Sequence, residues 1–381
     1  MLRLTLTRDT LGPVSRGHPW VYADGVRDRG RTGEVAQLLD PRGRPVAFGL
    51  CDEGPIAVRV LGRHPVPLPR LVAERIDAAR ALRAAVVPSE TTAFRLVNGA
   101  GDGLPGVVVD RYGALLVLRL YAAAWLPHLD VLTAALSAVP GVQTVARRLG
   151  VRRVDGGEGL VTLAGPNAPD RLVVTERGLR FLVRPAEGQK TGLFLDQREH
   201  RHFVAGISQG RSVVNLFAYT GGFSVYAAAA GSGRVTTVDV SEAALADARE
   251  NFRLNGLDPD RHGFDCVDVF QWAPPSGTRP GLVVCDPPSL SHGKDSDRAA
   301  YQTYRDLAVT TGRMLGSGGL LASASCTARL GFDRWEGAIR EGLRKAGRWS
   351  LLWRAGEPPD HPVATEHPEG RYLKFAAFAR R

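Results

Sequence analysis

From about Thr191 onward, short apolar runs with the make-up of buried strands alternate with longer helical patterns. That alternation narrows the fold more than any other feature of the chain. The runs are Val213 to Phe217, Arg234 to Val240, Gly281 to Asp286 and Gly319 to Ser325; helices are expected from Gly222, from Ser241 to Leu254 and through Tyr304 to Leu315. Strand and helix in turn imply a parallel sheet covered on both faces, a doubly wound α/β domain. A helix at Arg334 to Lys345 and strand candidates at Trp349 to Arg354 and Arg371 to Ala379 close it. The uncharged stretch Ser212 to Gly233 is long enough to imitate a membrane span, but Asn215, Thr220 and the Gly221-Gly222 pair read as strand, turn and helix start.

The 381 residues leave room for more than this one domain. Between Arg3 and Leu61 the apolar runs are short and punctuated by turn residues such as Asp40-Pro41-Arg42-Gly43-Arg44, which reads as a small β module over residues 1–68. The stretch Arg63-His64-Pro65-Val66-Pro67-Leu68-Pro69 reads as a stiff linker and a domain boundary. Residues 69–190 then mix an amphipathic helix (Val72, Ile76, Ala79, Leu82, Val86) with strand-like runs and a second helix carrying Leu129, Leu132 and Leu136 on one face. The spacing predicts an α+β domain there and places the doubly wound domain at 191–381.

A net charge of +10, from 45 arginines against 4 lysines, favours an anionic partner and raises nucleic acid above other candidates. Cys51, Cys266, Cys285 and Cys326 lie far apart, with no pair at metal-ligand spacing, so four thiols in a reducing cytoplasm are expected, without disulfide or zinc. Arg3 and Arg8 break up the apolar residues that a secretory leader would keep together.

In an open α/β sheet ligands sit outside the carboxyl ends of the strands, so the strand ends locate the chemistry. The first ends in Phe217-Ala218-Tyr219-Thr220-Gly221-Gly222-Phe223, a turn whose glycines would let backbone approach a ligand. The second ends in Asp239, placed to hold ribose hydroxyls. A third run ends in Asp268, where a carboxylate can take an adenine amino group. Gly-Gly with a downstream acid fits any nucleotide-binding unit. The missing GxGxxG counts against a dinucleotide pyrophosphate and not against S-adenosylmethionine, which has no phosphate. The fourth and fifth strands end in Asp286-Pro287-Pro288 and Ser325-Cys326-Thr327. Prolines directly after Asp286 suit a fixed carboxylate that holds a flipped base, and a strand-end Cys326 can meet a ligand as a reactive thiol must. A free strand cysteine is more often a small core hydrophobe, the role assigned to Cys285, while Cys51 and Cys266 are read as structural.

With these residues in view, the chain resembles the cytosine-C5 methyltransferases of large-subunit ribosomal RNA that carry an N-terminal PUA domain. The resemblance runs through Arg16-Gly17-His18-Pro19-Trp20-Val21, Asp102 to Gly106, Asp110-Arg111-Tyr112-Gly113, Lys190 to Arg198, the Phe217 to Phe223 turn, Asp286-Pro287-Pro288, Ser325-Cys326, Asp360-His361-Pro362 and Pro368 to Lys374. Ser289 stands where many relatives place Lys. The resemblance implies a PUA-like β-barrel, a central α+β (EEHEE) domain and a Rossmann-like class I methyltransferase domain with a seven-stranded, mostly parallel sheet. It implies S-adenosylmethionine as cofactor, contacted by Gln197, Arg198, Phe217, Tyr219, Gly221, Gly222, Asp239, Asp268 and Asp286. The implied partner is large-subunit (23S) rRNA or an assembly intermediate, met by a single chain or a homodimer, with no membrane and no metal.

The implied chemistry suits cytosine, whose C5 is a poor nucleophile until a thiolate adds at C6. Cys326 is then the nucleophile, and Asp286 holds the base and helps to protonate N3. Glu369 is the candidate for removing the C5 proton, with Asp360, His361 and water as alternatives. Rival readings are methylation at a ring or exocyclic nitrogen such as guanine's, which needs no thiol, a non-catalytic RNA-binding assembly factor, and a NAD-dependent oxidoreductase.

Overall fold

In the computed structural model, which describes residues 1–290 and 296–381, contacts divide the chain into two units. The first comprises Met1–Gly178, Val183–Leu195 and Pro359–Gly370; the second comprises Leu179–Leu182, Asp196–Pro358 and Arg371–Arg381. The boundaries expected at 68 and 190 both fall inside the first unit.

Its N-terminal sheet has five strands, β1 (Leu2–Thr5), β2 (Trp20–Tyr22), β3 (Val35–Leu39), β4 (Pro45–Cys51) and β5 (Ile56–Gly62), in the order β1-β3-β4-β5-β2. The β3–β4 turn is tied by the Asp40 carboxylate, which accepts from the backbone N–H groups of Arg42 and Arg44 at 2.9 Å each. Helix α1 (Arg8–Arg16) was not expected, because Gly12 and Pro13 argue locally against it; burial of Val14 carries it.

Residues 63–67 of the proline stretch connect β5 to helix α2 (Leu68–Val86), whose first turn tolerates Pro69 because amide groups there have no helical partner. Strands β6 (Ala93–Asn98), β7 (Val107–Tyr112) and β8 (Leu115–Leu120), helix α3 (Leu129–Ser137), and strands β9 (Thr144–Leu149) and β10 (Gly159–Ala164) follow. Their sheet runs β10-β9-β8-β7-β6, with edge strand β6 beyond the expected set. Phe48, Leu50 and Leu61 of the N-terminal sheet share one buried cluster with Val72 and Ile76 of α2, Val109 of β7 and Trp125 before α3, so hydrophobic burial joins the N-terminal and central parts into a single core.

Residues 359–370 return to this unit. The Asp360 carboxylate accepts from Arg95 N–H at 3.1 Å, its carbonyl from the Arg83 guanidinium at 2.8 Å, and the Pro362 carbonyl from the Asn98 amide at 2.9 Å. Gly101 permits this approach, since a Cβ there would fall 1.7 Å from the Pro362 oxygen.

After strands β11 (Leu172–Glu176) and β12 (Leu179–Val183), the second unit forms around seven strands: β13 (Val213–Leu216), β14 (Val235–Asp239), β15 (Gly263–Cys266), β16 (Leu282–Cys285), β17 (Leu320–Ser325), β18 (Trp349–Ala355) and β19 (Lys374–Arg380). Their order is β15-β14-β13-β16-β17-β19-β18, and β19 alone runs antiparallel to its neighbours. Every residue of β13, β16 and β17 is buried, as expected of central strands covered on both faces. The helices are α4 (Arg198–Ser208), α5 (Gly222–Ala229), α6 (Glu242–Leu254), α7 (Ser296–Met314) and α8 (Phe332–Arg344). Helix α6 starts where Ser241 caps it, accepting from Ala244 N–H at 3.2 Å. Among the described residues no helix is long and apolar enough to cross a membrane.

Candidate active site at the strand ends

The turn after β13 is conformationally costly. Phe217, Tyr219 and Gly221 have φ of 58°, 49° and 75°, and the first two are residues that rarely adopt the left-handed region. Strain of this kind persists where surrounding bonds fix it, as they do here. Tyr219 N–H donates to Asp239 Oδ2 at 2.8 Å, and the buried Asn251 amide of α6 donates to the Thr220 carbonyl at 2.9 Å. The glycines serve packing as well as approach. A Cβ at Gly221 would meet Ala248 of α6 at 2.9 Å, and one at Gly222 would meet the Arg201 side chain at 3.0 Å.

Asp239 ends β14 half-exposed. Its Oδ1 accepts from Ser241 N–H at 2.9 Å, so each oxygen takes one backbone amide and keeps acceptor capacity for a pair of hydroxyls. Asp268 is exposed after β15 and accepts from Phe270 N–H at 3.0 Å; the Phe270 ring is exposed and packs edge-on against Phe217, with centroids 5.7 Å apart. A carboxylate with spare acceptors, a fixed backbone turn and two rings along one rim fit an adenosyl group.

Asp286 leaves β16 half-exposed beside it. Gln197, buried just before α4, donates from Nε2 to Asp286 Oδ2 at 2.9 Å, and its Oε1 lies 2.6 Å from His200 Nδ1. Burial pushes the His200 imidazole down to about 4, so the ring is neutral at physiological pH. It stacks on Phe375 of β19, centroids 4.5 Å apart. His200 was not singled out from the sequence; its spacing three residues after Gln197 on a helix start is the only local signal. Arg198 is fully buried, with Nε 3.1 Å from Glu199.

Cys326 follows β17, the neighbour of β16, and is half-buried, whereas Cys285 lies fully inside, in the core with Trp335 and Ile339. Burial drives the Cys285 thiol far above its usual range, with the charge of Asp286 adding to the effect. Cys51 is buried in the N-terminal sheet and Cys266 exposed. Tyr304 of α7 underlies the Cys326 segment, its hydroxyl 2.8 Å from Ser325 Oγ and 2.9 Å from Thr327 Oγ1. Burial lifts its phenol well above the ordinary range, and both Cys326 and Asp286 push it further, which places those two residues within electrostatic reach of one ring.

The candidates for proton removal belong to the first unit. Asp360 and His361 are fully buried, and Asp360 is engaged by Arg95. Glu369 remains 42% exposed, with His18 Nε2 3.5 Å away. Burial opposes its charge, yet its own backbone N–H and the neighbouring His18 and His367 hold the carboxyl below its usual range. Among the described residues no group of three or more His, Cys, Asp or Glu is arranged to hold a metal ion.

Comparison with known proteins bears on the family and the fold. The family model for S-adenosylmethionine-dependent methyltransferases matches residues 145–373, and a PUA-like domain model matches residues 4–63. A "Ribosomal RNA large subunit methyltransferase" of Deinococcus radiodurans is 40% identical over 98% of this chain and 96% of its own length. A "Ribosomal RNA large subunit methyltransferase I" of Erwinia tasmaniensis is 33% identical over 98% of both chains. Among solved structures, SMU.776 complexed with SAH superposes over 100% of both chains with a TM-score of 0.89 at 24% identity, a likeness of fold.

Proposed function

This chain belongs to the S-adenosylmethionine-dependent methyltransferase family, and we propose that it makes 5-methylcytosine in large-subunit ribosomal RNA through a covalent bond from Cys326 to cytosine C6. The observation that carries this reading is the pairing of Cys326 and Asp286. They end neighbouring parallel strands at one rim, and both act electrostatically on Tyr304.

The cofactor, held by Asp239, the Phe217–Gly221 turn and Asp268, supplies an electrophilic methyl group on a sulfonium. The chain's own residues prepare the base. Cys326 adds as thiolate to C6, and its electron pair becomes the new C–S bond while the ring double bond shifts toward N3, where Asp286 stabilises the added proton. The enamine so formed makes C5 nucleophilic. After transfer a base takes the C5 proton, the C5–C6 double bond returns and the thiolate leaves. Of the candidate bases, Glu369 is exposed while Asp360 and His361 are buried. Gln197 and His200 fix the Asp286 carboxylate without bringing a second charge to it.

The relatives named for large-subunit RNA support that substrate class, and the excess of arginine suits a phosphate backbone. Nucleoside mass spectrometry of ribosomal RNA from a deletion strain tests the proposal. Loss of one 5-methylcytidine is expected. Loss of a methylated guanosine with 5-methylcytidine intact would overturn the carbon reading in favour of nitrogen chemistry.

A further inference from the structure

A thiolate at Cys326 would form beside a like charge, since Asp286 follows the adjacent strand β16. Glu357, which accepts from Tyr372 and Leu373 N–H at 2.6 and 2.8 Å, lies within electrostatic reach of Lys374. Tyr304, packed beneath from α7, contributes a neutral phenol.

Lys374 is the counterweight. It opens β19 directly opposite Ser325 in the β17–β19 ladder, one residue from Cys326, and it is 3% exposed. Its ammonium donates to the Thr327 carbonyl at 3.0 Å and to the Tyr372 carbonyl at 2.6 Å, so it is bound to the residue that follows Cys326 and paired with the one that precedes it. Both contacts are to neutral carbonyls, which orient the charge without cancelling it. A lysine at such depth loses hydration, and burial brings it down to about 8 against the upward pull of Glu357 and Cys326; it remains mainly cationic at neutral pH.

We propose that Lys374 is a positioning residue of the reaction: its ammonium holds Cys326 as the thiolate and fixes the Ser325–Thr327 turn that carries it. The proton lost by the sulfur passes to water and the lysine keeps its own. This assignment rests on Cys326 as the nucleophile, but its charge state can be read without any methyl transfer.

The experiment is iodoacetamide alkylation of Cys326 in the whole protein as a function of pH, followed by peptide mass spectrometry. In wild type the midpoint should fall below the ordinary thiol value of about 8.5. In Lys374→Met it should rise by about one pH unit or more, which slows alkylation near neutrality about tenfold, while rates above about pH 10 converge. Lys374→Arg should recover most of the shift. An unmoved midpoint in Lys374→Met overturns the proposal. If that variant does not fold, a wild-type midpoint at or above the ordinary value overturns it equally. Trapping of wild type on RNA containing 5-fluorocytosine judges the nucleophile separately: absence of an adduct sinks the covalent reading and leaves the alkylation profile to decide on Lys374.

Discussion

Gln197 reaches Asp286 with an amide hydrogen bond of 2.9 Å while its carbonyl oxygen faces His200, so the carboxylate at the rim is held by a neutral relay. With Nε2 committed to Asp286, Oε1 can only accept, and His200 donates from Nδ1. Gln197→Glu would set a second carboxylate against Asp286. Turnover should fall about a hundredfold near neutrality, and the acidic limb of the kcat profile should move to higher pH. An unchanged limb would show that Asp286 does not take part in the rate-determining chemistry.

His200 also makes stability depend on pH. Its folded-state value is near 4 against 6.5 for the free imidazole, so on acidification the unfolded chain takes up the proton first. This contribution is complete above about pH 6.5 and is lost as pH falls toward 4, by about 3 kcal/mol. Thermal melts should show wild type losing more stability than His200→Asn across that window; parallel curves would count against a neutral buried imidazole.

Asp239→Ala should weaken S-adenosylmethionine binding by about 1 to 3 kcal/mol, through lost hydroxyl contacts and a loosened Tyr219 turn. Calorimetry giving an unchanged affinity would remove Asp239 from the cofactor site.

Cys326→Ala should keep its fold and cofactor affinity, lose turnover by about three powers of ten or more, and fail to trap on 5-fluorocytosine RNA. Cys285→Ala should stay active and cost about 1 kcal/mol of stability through a small cavity beside Val283 and Leu321. An adduct that survives in Cys326→Ala and vanishes in Cys285→Ala would reverse the two roles.

Phe48→Ala, a change in the N-terminal sheet, should destabilise the central domain by about 3 to 5 kcal/mol, because the ring lies in the core shared with Trp125. Hydrogen exchange in β8 should accelerate with it. For the same reason, deleting residues 1–68 should destabilise the central domain; a truncation whose central domain is as stable as in the whole chain would refute the shared core.

The strand ends were legible because polar chemistry stops an apolar run abruptly: Asp239, Asp286 and Cys326 each follow residues suited only to a buried strand. Elements that answer to tertiary packing were not. In β6, Arg95 and Asn98 hide the strand pattern because their partners lie on other elements, Asp110 on β7 and Pro362 far along the chain. Helix α1 forms against its own glycine and proline. Lys374 looks like a solvated strand terminus until Ser325 and Thr327 are seen to enclose it. In the proline stretch, Pro69 serves a helix start, a use of proline that the sequence alone does not separate from a stiff connection.

The return of residues 359–370 to the first unit carries a consequence for synthesis. Asp360, which closes on Arg83 and Arg95, lies 265 residues beyond Arg95, so the first unit cannot be completed until the Asp196–Pro358 stretch of the second has been made. The early sheets must wait on the nascent chain with that seam open. Final closure of the first unit therefore follows synthesis of most of the second, an order that simple domain-by-domain folding would not require.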